Sequence, residues 1–217
     1  MIKIKPDTKR NAYTLTFGSI IALMLLLAAM LTWPAYSLNL LLLFLAAFIA
    51  VILGVAKILE PETSLELDQT GLTFFHVKGH FHLAWQDIQR FDIPTVGARE
   101  PLHYLGIKLR HPEALLNSIS PRLTSHFIVE QRALLVLAMR YNSDCPSCAS
   151  EHMFDVRDYL SPNKTRYTGL NAMLGHRMAL LNELLGYHIY ISASSLDRPL
   201  EDFLPLIREM HQQHLHP

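Results

Sequence analysis

Hydrophobic residues dominate the chain between residues 11 and 56, where no Asp, Glu, Lys, Arg or His occurs. A bilayer core of about 30 Å needs roughly 20 mostly apolar residues per helix, so this segment has room for two spans and a turn. The pattern predicts membrane helices over residues 13–31 and 38–58. We therefore expect a transmembrane helical hairpin over residues 13–58, preceded by a basic segment over residues 1–12.

Basic residues near this hairpin predict which way it is inserted. Four of them precede the first span and one closes the second, whereas the turn between the spans carries no charge: Lys3, Lys5, Lys9, Arg10 and Lys57. Positive residues close to the spans favour the cytoplasmic side. A cleaved signal peptide is the competing interpretation, but the first apolar run is long for one and leads straight into another span. Both termini are expected in the cytoplasm, with residues 59–217 as a cytoplasmic domain.

After residue 62 the pattern changes to the alternation of apolar and polar residues that is typical of strands. Turns that contain Gly71 and Gly79 separate three predicted strands, and Trp85-Gln86-Asp87-Ile88 leads into a fourth. A fifth strand is predicted over residues 104–110. The simplest interpretation is an antiparallel β-meander.

The rest of the domain predicts an α+β fold with several helices. The expected elements are a helix over 114–130 with a break near Pro121, a buried strand over 133–139, a loop over 141–168 holding a short helix over 151–159, a helix over 170–185, a strand over 187–191, and a last helix capped by Asp197. Residues 133–139 form a continuous apolar run, which favours the strand there. Gly186 is expected to end the amphipathic helix predicted over residues 170–185.

The glycine turn at Gly71 and the sequence Trp85-Gln86-Asp87-Ile88 carry a resemblance over residues 63–110. They resemble the opening sheet of bacterial pleckstrin-homology-like domains, which often follow one or two transmembrane helices. The whole layout is similar to an uncharacterised family of two-span gammaproteobacterial membrane proteins, a domain of unknown function. The resemblance implies a hairpin in the bacterial inner membrane, followed by a cytoplasmic pleckstrin-homology-like antiparallel β domain with additional helices. It implies no established activity.

Charge limits the classes of partner. One of the 19 acidic residues and five of the 19 basic residues lie at or before Lys57, so the domain after it is mildly acidic. No basic face for nucleic acid is indicated. An acidic domain beside an anionic leaflet is also weakly repelled, which argues against broad electrostatic binding of lipid.

The sharpest local motif is Cys145-Pro146-Ser147-Cys148. Two thiols at this spacing can cycle between dithiol and disulfide, or can supply half of a tetrahedral zinc site with His152 as a third ligand. No thioredoxin-like βαβ pattern surrounds the motif, so the favoured interpretation is two thiols in a surface loop. Cys145, Cys148 and His152 remain the candidate metal ligands.

All 12 histidines belong to the predicted cytoplasmic domain. His76, His80 and His82 lie around one predicted hairpin, where three imidazoles could hold a metal ion. Because no carboxylate completes that motif, partly exposed polar positions are the favoured interpretation. The last three histidines, from His211 to His216, are expected in a frayed tail.

The sequence contains no Walker loop, no Gly-x-Gly-x-x-Gly and no His-Glu-x-x-His motif, and its apolar segment holds no ionisable residue. We therefore expect a non-enzymatic membrane anchor without a cofactor, whose domain binds a protein partner or supports a membrane complex. The alternatives are a membrane-tethered thiol-redox or zinc protein that uses Cys145 and Cys148, and a domain that senses lipid headgroups. Homo-oligomerisation is left open.

Overall fold

The computed structural model describes residues 2–6, 11–32, 37–97, 100–142 and 155–215. The chain forms two compact units. One runs from Pro6 to Glu62, and the other combines Met1–Lys5 with Thr63–Pro217. This division differs from the expected one, because the first five residues belong to the C-terminal domain rather than to a separate basic segment.

Two apolar helices form the first unit. Helix α1 spans Ala12–Thr32 and α2 spans Ser37–Leu59. Both are long and apolar enough to cross a membrane, as the hydrophobic pattern predicted. Gly54 of α2 lies directly against Thr16 of α1, where a Cβ atom would sit 3.0 Å from the Thr16 backbone nitrogen. A small residue at this crossing lets the two backbones approach closely.

A four-stranded antiparallel sheet opens the second unit, in the order β1–β2–β3–β4. Its strands are β1 (Ile2–Ile4), β2 (Leu65–Leu67), β3 (Gly71–His76) and β4 (Gly79–Ala84). The strand β1 was not expected. It precedes the apolar hairpin and pairs with the first strand after it, with Ile2 opposite Leu67 and Ile4 opposite Leu65. The first three predicted strands form a meander in this sheet, whereas the predicted fourth and fifth strands pair with each other in a separate sheet.

A second sheet of three antiparallel strands has the order β11–β8–β5. The strands that follow β4 are β5 (Ile88–Asp92), β6 (Thr95–Val96), β7 (Glu100–Pro101), β8 (Tyr104–Leu109), β9 (Tyr159–Leu160), β10 (Arg166–Tyr167) and β11 (Ile189–Ser192). Strands β6 with β7 and β9 with β10 form small separate hairpins.

Helices fill the sequence between β8 and β11 and close the chain. They are α3 (Pro112–Ser118), α4 (Pro121–Glu130), α5 (Arg132–Asn142), α6 (Gly169–Leu185) and α7 (Leu200–Leu215). The break predicted near Pro121 separates α3 from α4, and the Ser120 hydroxyl accepts a hydrogen bond from the Leu123 N–H at the start of α4. Gly186 ends α6 with a φ of +87°, as predicted.

The predicted strand over residues 133–139 is wrong, because these residues belong to α5. The short helix predicted over residues 151–159 is only partly within the described residues, because residues 151–154 lie outside them. Over residues 155–159 the prediction is wrong, since no helix forms there and Tyr159 pairs with Tyr167 in a strand. Asp197 does not cap the last helix. Its carboxylate binds Arg198 at 2.8 Å, and α7 begins at Leu200.

One large hydrophobic core joins both sheets with α3, α4, α6 and α7. A second cluster lies between α5, α6 and the other face of the three-stranded sheet. Strand β11 shows the division, because Ile189 and Ile191 belong to the first cluster while Tyr190 between them belongs to the second. The three-stranded sheet is therefore covered on both faces, and α5 takes a fixed place on the outer one.

Candidate functional site

Helix α5 is apolar on two opposite sides. Its inner side contributes Leu134, Leu135, Ala138 and Met139 to the second core cluster. Its outward side carries Ala133, Val136 and Leu137, which lie at the exposed or half-buried positions. A surface helix of a globular domain ordinarily presents polar residues outward. Leu137 packs in part against the second cluster, so Ala133 and Val136 are the apolar side chains of this side that the packing of the described residues leaves unexplained.

This outward side forms the floor of an open cleft of about 450 Å³. The lining residues come from the end of α4 and from α5: Val129, Glu130, Arg132, Ala133, Val136, Leu137 and Arg140. Val129 is 68% exposed, which is high for a branched aliphatic side chain. We call this surface the α4–α5 cleft. Its apolar floor is bounded by two exposed arginines from one helix and by one carboxylate.

Hydrogen bonds hold the carboxylate of Glu130 at one end of the cleft. The His126 Nε2 atom lies 3.2 Å from Glu130 Oε2, and the Lys78 ammonium lies 3.3 Å from His126 Nδ1. An ammonium group can only donate, so Nδ1 accepts and the proton of the imidazole is on Nε2, which donates to Glu130. The imidazole of His76 stacks on that of His126, with ring centroids 4.2 Å apart.

The environment keeps His126 neutral near pH 7. Its pKa is lowered to about 4, first by burial and then by the positive charges of the neighbouring His76 and Lys78. Burial raises the pKa of Glu130, which the positive charge of Lys78 opposes. Burial also raises the pKa of Tyr104, with a contribution from the charge of Glu130. Lys78, His126 and Glu130 form a hydrogen-bonded polar end to the cleft.

A buried arginine fixes the joint between α4 and α5. Arg177 of α6 is 3% exposed and donates from Nη1 to the carbonyl of Ile128 at 3.4 Å. Carbonyls at the end of a helix carry partial negative charge, so the guanidinium stabilises the last turn of α4. The backbone N–H of Gln131 donates to Phe127 and its carbonyl accepts from Leu135, so one buried residue links the two helices.

The cysteine motif cannot be placed. Cys145, Cys148 and His152 lie outside the described residues, so zinc binding and thiol exchange there remain predictions. Within the described ranges, no group of three His, Cys, Asp or Glu side chains is arranged to hold a metal ion.

The three histidines around the β3–β4 hairpin do not converge. Phe75 pairs with His80 and Thr73 with His82, so His80 and His82 share one face of the sheet while His76 lies on the other. His82 Nδ1 hydrogen-bonds to the Thr73 hydroxyl at 2.9 Å, and His80 packs beside Phe75. The hypothesis of a three-imidazole metal site is wrong because β-strand geometry separates its members.

The prediction of a frayed C-terminal tail is also wrong for two of its histidines. His211 is 6% exposed within α7 and its Nε2–H donates to the carbonyls of Trp85 and Ile88, at 3.2 and 3.1 Å. His214 stacks on the Trp85 ring. His216 lies outside the described residues. The last helix is thus fixed to the short turn that joins the two sheets.

Sequence patterns alone did not indicate the α4–α5 cleft. Its polar end joins residues that are far apart in sequence, Lys78 and His126. The signal that was available is the run over residues 133–139, which is apolar at every position and so leaves any helix there with an apolar outer side. Interpreting the run as a buried strand concealed that side.

Comparison with known protein families gives a match to the C-terminal domain. The family described as "Protein of unknown function (DUF2982)" matches residues 65–213. The chain belongs to this family. The expected membership of an uncharacterised family is thus confirmed. The DUF2982 match begins in β2 and ends within α7, so it includes the α4–α5 cleft and leaves out β1 and the hairpin. No curated protein and no protein of solved structure matches the chain.

Proposed function

We propose that this chain is a non-enzymatic protein of the bacterial inner membrane whose C-terminal domain binds a protein partner at the membrane surface. The outward apolar side of α5 carries the proposal. It leaves Ala133 exposed and Val136 half-buried beside the exposed Val129 at the end of α4, while Leu137 packs in part against the second core cluster. Apolar patches of this kind on a folded domain mark interaction sites.

Pairing of β1 with β2 supports the membrane arrangement. Residues 2–4 precede the two apolar helices and residues 65–67 follow them, yet the two strands share one sheet. Both must lie on the same side of a membrane, so the two helices must cross it together as a hairpin. Lys3, Lys5 and Lys57 flank the hairpin, and the positive-inside rule makes that side the cytoplasm.

The order of sheets and helices supports a pleckstrin-homology-like fold. An antiparallel meander, a second antiparallel sheet and a C-terminal helix packed against the core follow one another along the chain. The domain departs from a minimal domain of this type at two places: α3 to α6 lie between β8 and β11, and β1 comes from the far side of the hairpin. The first of these departures contains the α4–α5 cleft.

Affinity purification from cross-linked membranes tests partner binding. The full chain, carrying a tag at its C-terminus, is expressed at its native level, cross-linked in intact membranes and then solubilised in mild detergent. We expect another protein to be recovered with it reproducibly and in near-stoichiometric amount. Recovery of the chain alone, together with reproducible turnover of a metabolite by the purified protein, would overturn the proposal.

A further inference from the structure

We propose that the α4–α5 cleft binds an amphipathic helix of the partner protein, which has an apolar stripe and acidic side chains toward both ends of that stripe. This inference rests on the proposed function and adds the surface and the chemistry of the partner. Its observations are the helical spacing of the apolar floor, the placement of the two arginines, and the open form of the cleft.

The apolar floor has the repeat of a helix–helix contact. Ala133, Val136 and Leu137 are spaced at i, i+3 and i+4 on α5, the spacing of residues that share one side of a helix, and Val129 extends this floor from the end of α4. Side chains at such positions form ridges and grooves into which those of a second helix fit. An amphipathic helix bound in an apolar groove is a recurring mode of peptide recognition.

The two arginines give the partner its charge. Arg132 and Arg140 line the cleft from the same helix, eight residues apart, which is about 12 Å along the helix axis at 1.5 Å per residue. Guanidinium groups bind carboxylates with two parallel hydrogen bonds. A partner helix that lies along α5 therefore meets both arginines with Asp or Glu residues about two turns apart, which bracket its apolar stripe.

The cleft fits a polypeptide better than it fits a bilayer. Segments that bind a membrane interface project an apolar face into the lipid, whereas here the apolar residues line a depression. The carboxylate of Glu130 lies in the same lining and is held there by His126. The lining therefore carries charges of both signs, from Arg132 and Arg140 and from Glu130. The concave form and the mixed charge of the cleft therefore favour binding of an amphipathic helix, which carries both apolar and charged side chains, over binding of a bilayer.

Site-specific photo-cross-linking in the full chain, in native membranes, tests the inference. A benzophenone amino acid replaces Val136 in the cleft or, as the matched control, Leu160, which is 63% exposed and does not line it. We expect an adduct with another polypeptide from position 136 that position 160 does not give. Mass spectrometry of the adduct should locate a segment with apolar residues at helical spacing and Asp or Glu at both ends.

Reversing the charge of the two arginines then distinguishes a charge-specific partner from any polypeptide that contacts the apolar floor. Like-charge contacts across an interface cost several kcal/mol, so Arg132→Glu with Arg140→Glu should reduce the adduct from position 136 at least about tenfold. The matched control is Arg110→Glu with Arg122→Glu, which makes the same change in net charge at exposed arginines outside the cleft. This control should leave the adduct unchanged. Arg140→Glu alone serves if the double variant unfolds.

Each other outcome overturns the inference in an identifiable way. An adduct with phospholipid makes the cleft a membrane-binding surface, and an adduct with a second copy of the chain makes it a homo-oligomer interface. A cross-linked segment without acidic residues, no adduct at position 136, or an adduct indifferent to charge reversal also contradicts it. If position 160 captures a protein and position 136 does not, partner binding stands and only the surface is wrong. If neither position captures one, and purification recovers the chain alone, the proposed function fails as well.

Discussion

One buried histidine and one half-buried histidine connect the stability of the domain to pH. His188 is 8% exposed and its Nδ1 accepts a hydrogen bond from the backbone N–H of Leu109 at 3.1 Å. Burial lowers the pKa of His188 to about 4, and the positive charge of Lys108 acts in the same direction. His126 is shifted in the same way beside the α4–α5 cleft. Both imidazoles are therefore neutral in the folded domain at pH 7.

The variant His188→Asn should weaken the dependence of stability on pH. Between the folded pKa of about 4 and the ordinary value of 6.5, the unfolded chain binds the proton more readily, so stability falls as pH drops through this window. His188 contributes at most about 3 kcal/mol to that fall. Asn retains an oxygen that can accept from Leu109 but does not titrate. The loss in unfolding midpoint from pH 7 to pH 5 should be smaller than in the parent.

Thermal unfolding of the full chain in detergent measures this difference. His103→Asn, at an exposed histidine, is the matched control and should behave as the parent does. Part of the pH dependence should persist in His188→Asn because His126 is unchanged. Equal losses of midpoint in the parent and in His188→Asn would show that this imidazole is not the titrating group.

At the scale of single elements, β1 contributes more to the domain than its three residues suggest. Ile4 is completely buried in the large core, and its carbonyl accepts hydrogen bonds from the Ser64 backbone N–H and from the Ser64 hydroxyl. Lys3 points to the solvent side, where its ammonium lies 3.9 Å from Glu66. One face of this strand is therefore core and the other is surface.

Ile4→Ala should destabilise the domain by roughly 2–4 kcal/mol, because a buried aliphatic side chain is removed and a cavity is left. Lys3→Ala in the same strand should cost less than about 1 kcal/mol, since it removes an exposed ammonium 3.9 Å from Glu66 and takes no side chain out of the core. Chemical denaturation of the full chain in detergent compares the two, followed by the fluorescence of Trp85 in chains that also carry Trp33→Phe. Similar losses in both variants would mean that β1 is not packed as described.

Packing between the two apolar helices gives a second prediction at this scale. Gly54→Ala places a Cβ atom against the backbone and hydroxyl of Thr16, and overpacking of this kind costs about 1–3 kcal/mol. Gly18→Ala in the other helix meets no atom within 4 Å and should be tolerated. Aggregation temperature in detergent is the measurement, and an unchanged value for Gly54→Ala would contradict the close crossing.

Elements whose signals are local could be predicted from the sequence. Pro121 divides α3 from α4 and Gly186 ends α6, because each acts through its own backbone conformation. Strand β1 could not be predicted, because Ile4 pairs with a residue on the far side of the hairpin. The run over residues 133–139 was misassigned because an apolar residue at every position hides a helical period. The polar end of the cleft depends on tertiary contacts, which no local pattern reports.

For the whole molecule, the proposed membrane hairpin together with the shared sheet predicts that both termini lie on the cytoplasmic side and the turn between the helices on the other. Fluorescent-protein reporters that mature only in the cytoplasm should be active at the C-terminus and at the N-terminus. The same reporter inserted in the turn between the two helices should be inactive, because that turn lies on the opposite side. An active reporter at one terminus only would contradict the pairing of β1 with β2, as the two strands would then be separated by the bilayer.

Synthesis of the chain proceeds from the N-terminus, so Ile2–Ile4 leaves the ribosome long before its partner Leu65–Leu67. In the proposed hairpin topology, the first sheet can be completed only after both apolar helices have been made and have returned the chain to the side from which it started. A chain in which one helix alone crossed would leave Leu65 and Leu67 uncovered at an open sheet edge, which invites aggregation. Folding of the domain thus depends on correct insertion, and a misinserted chain exposes a surface that proteases and chaperones recognise.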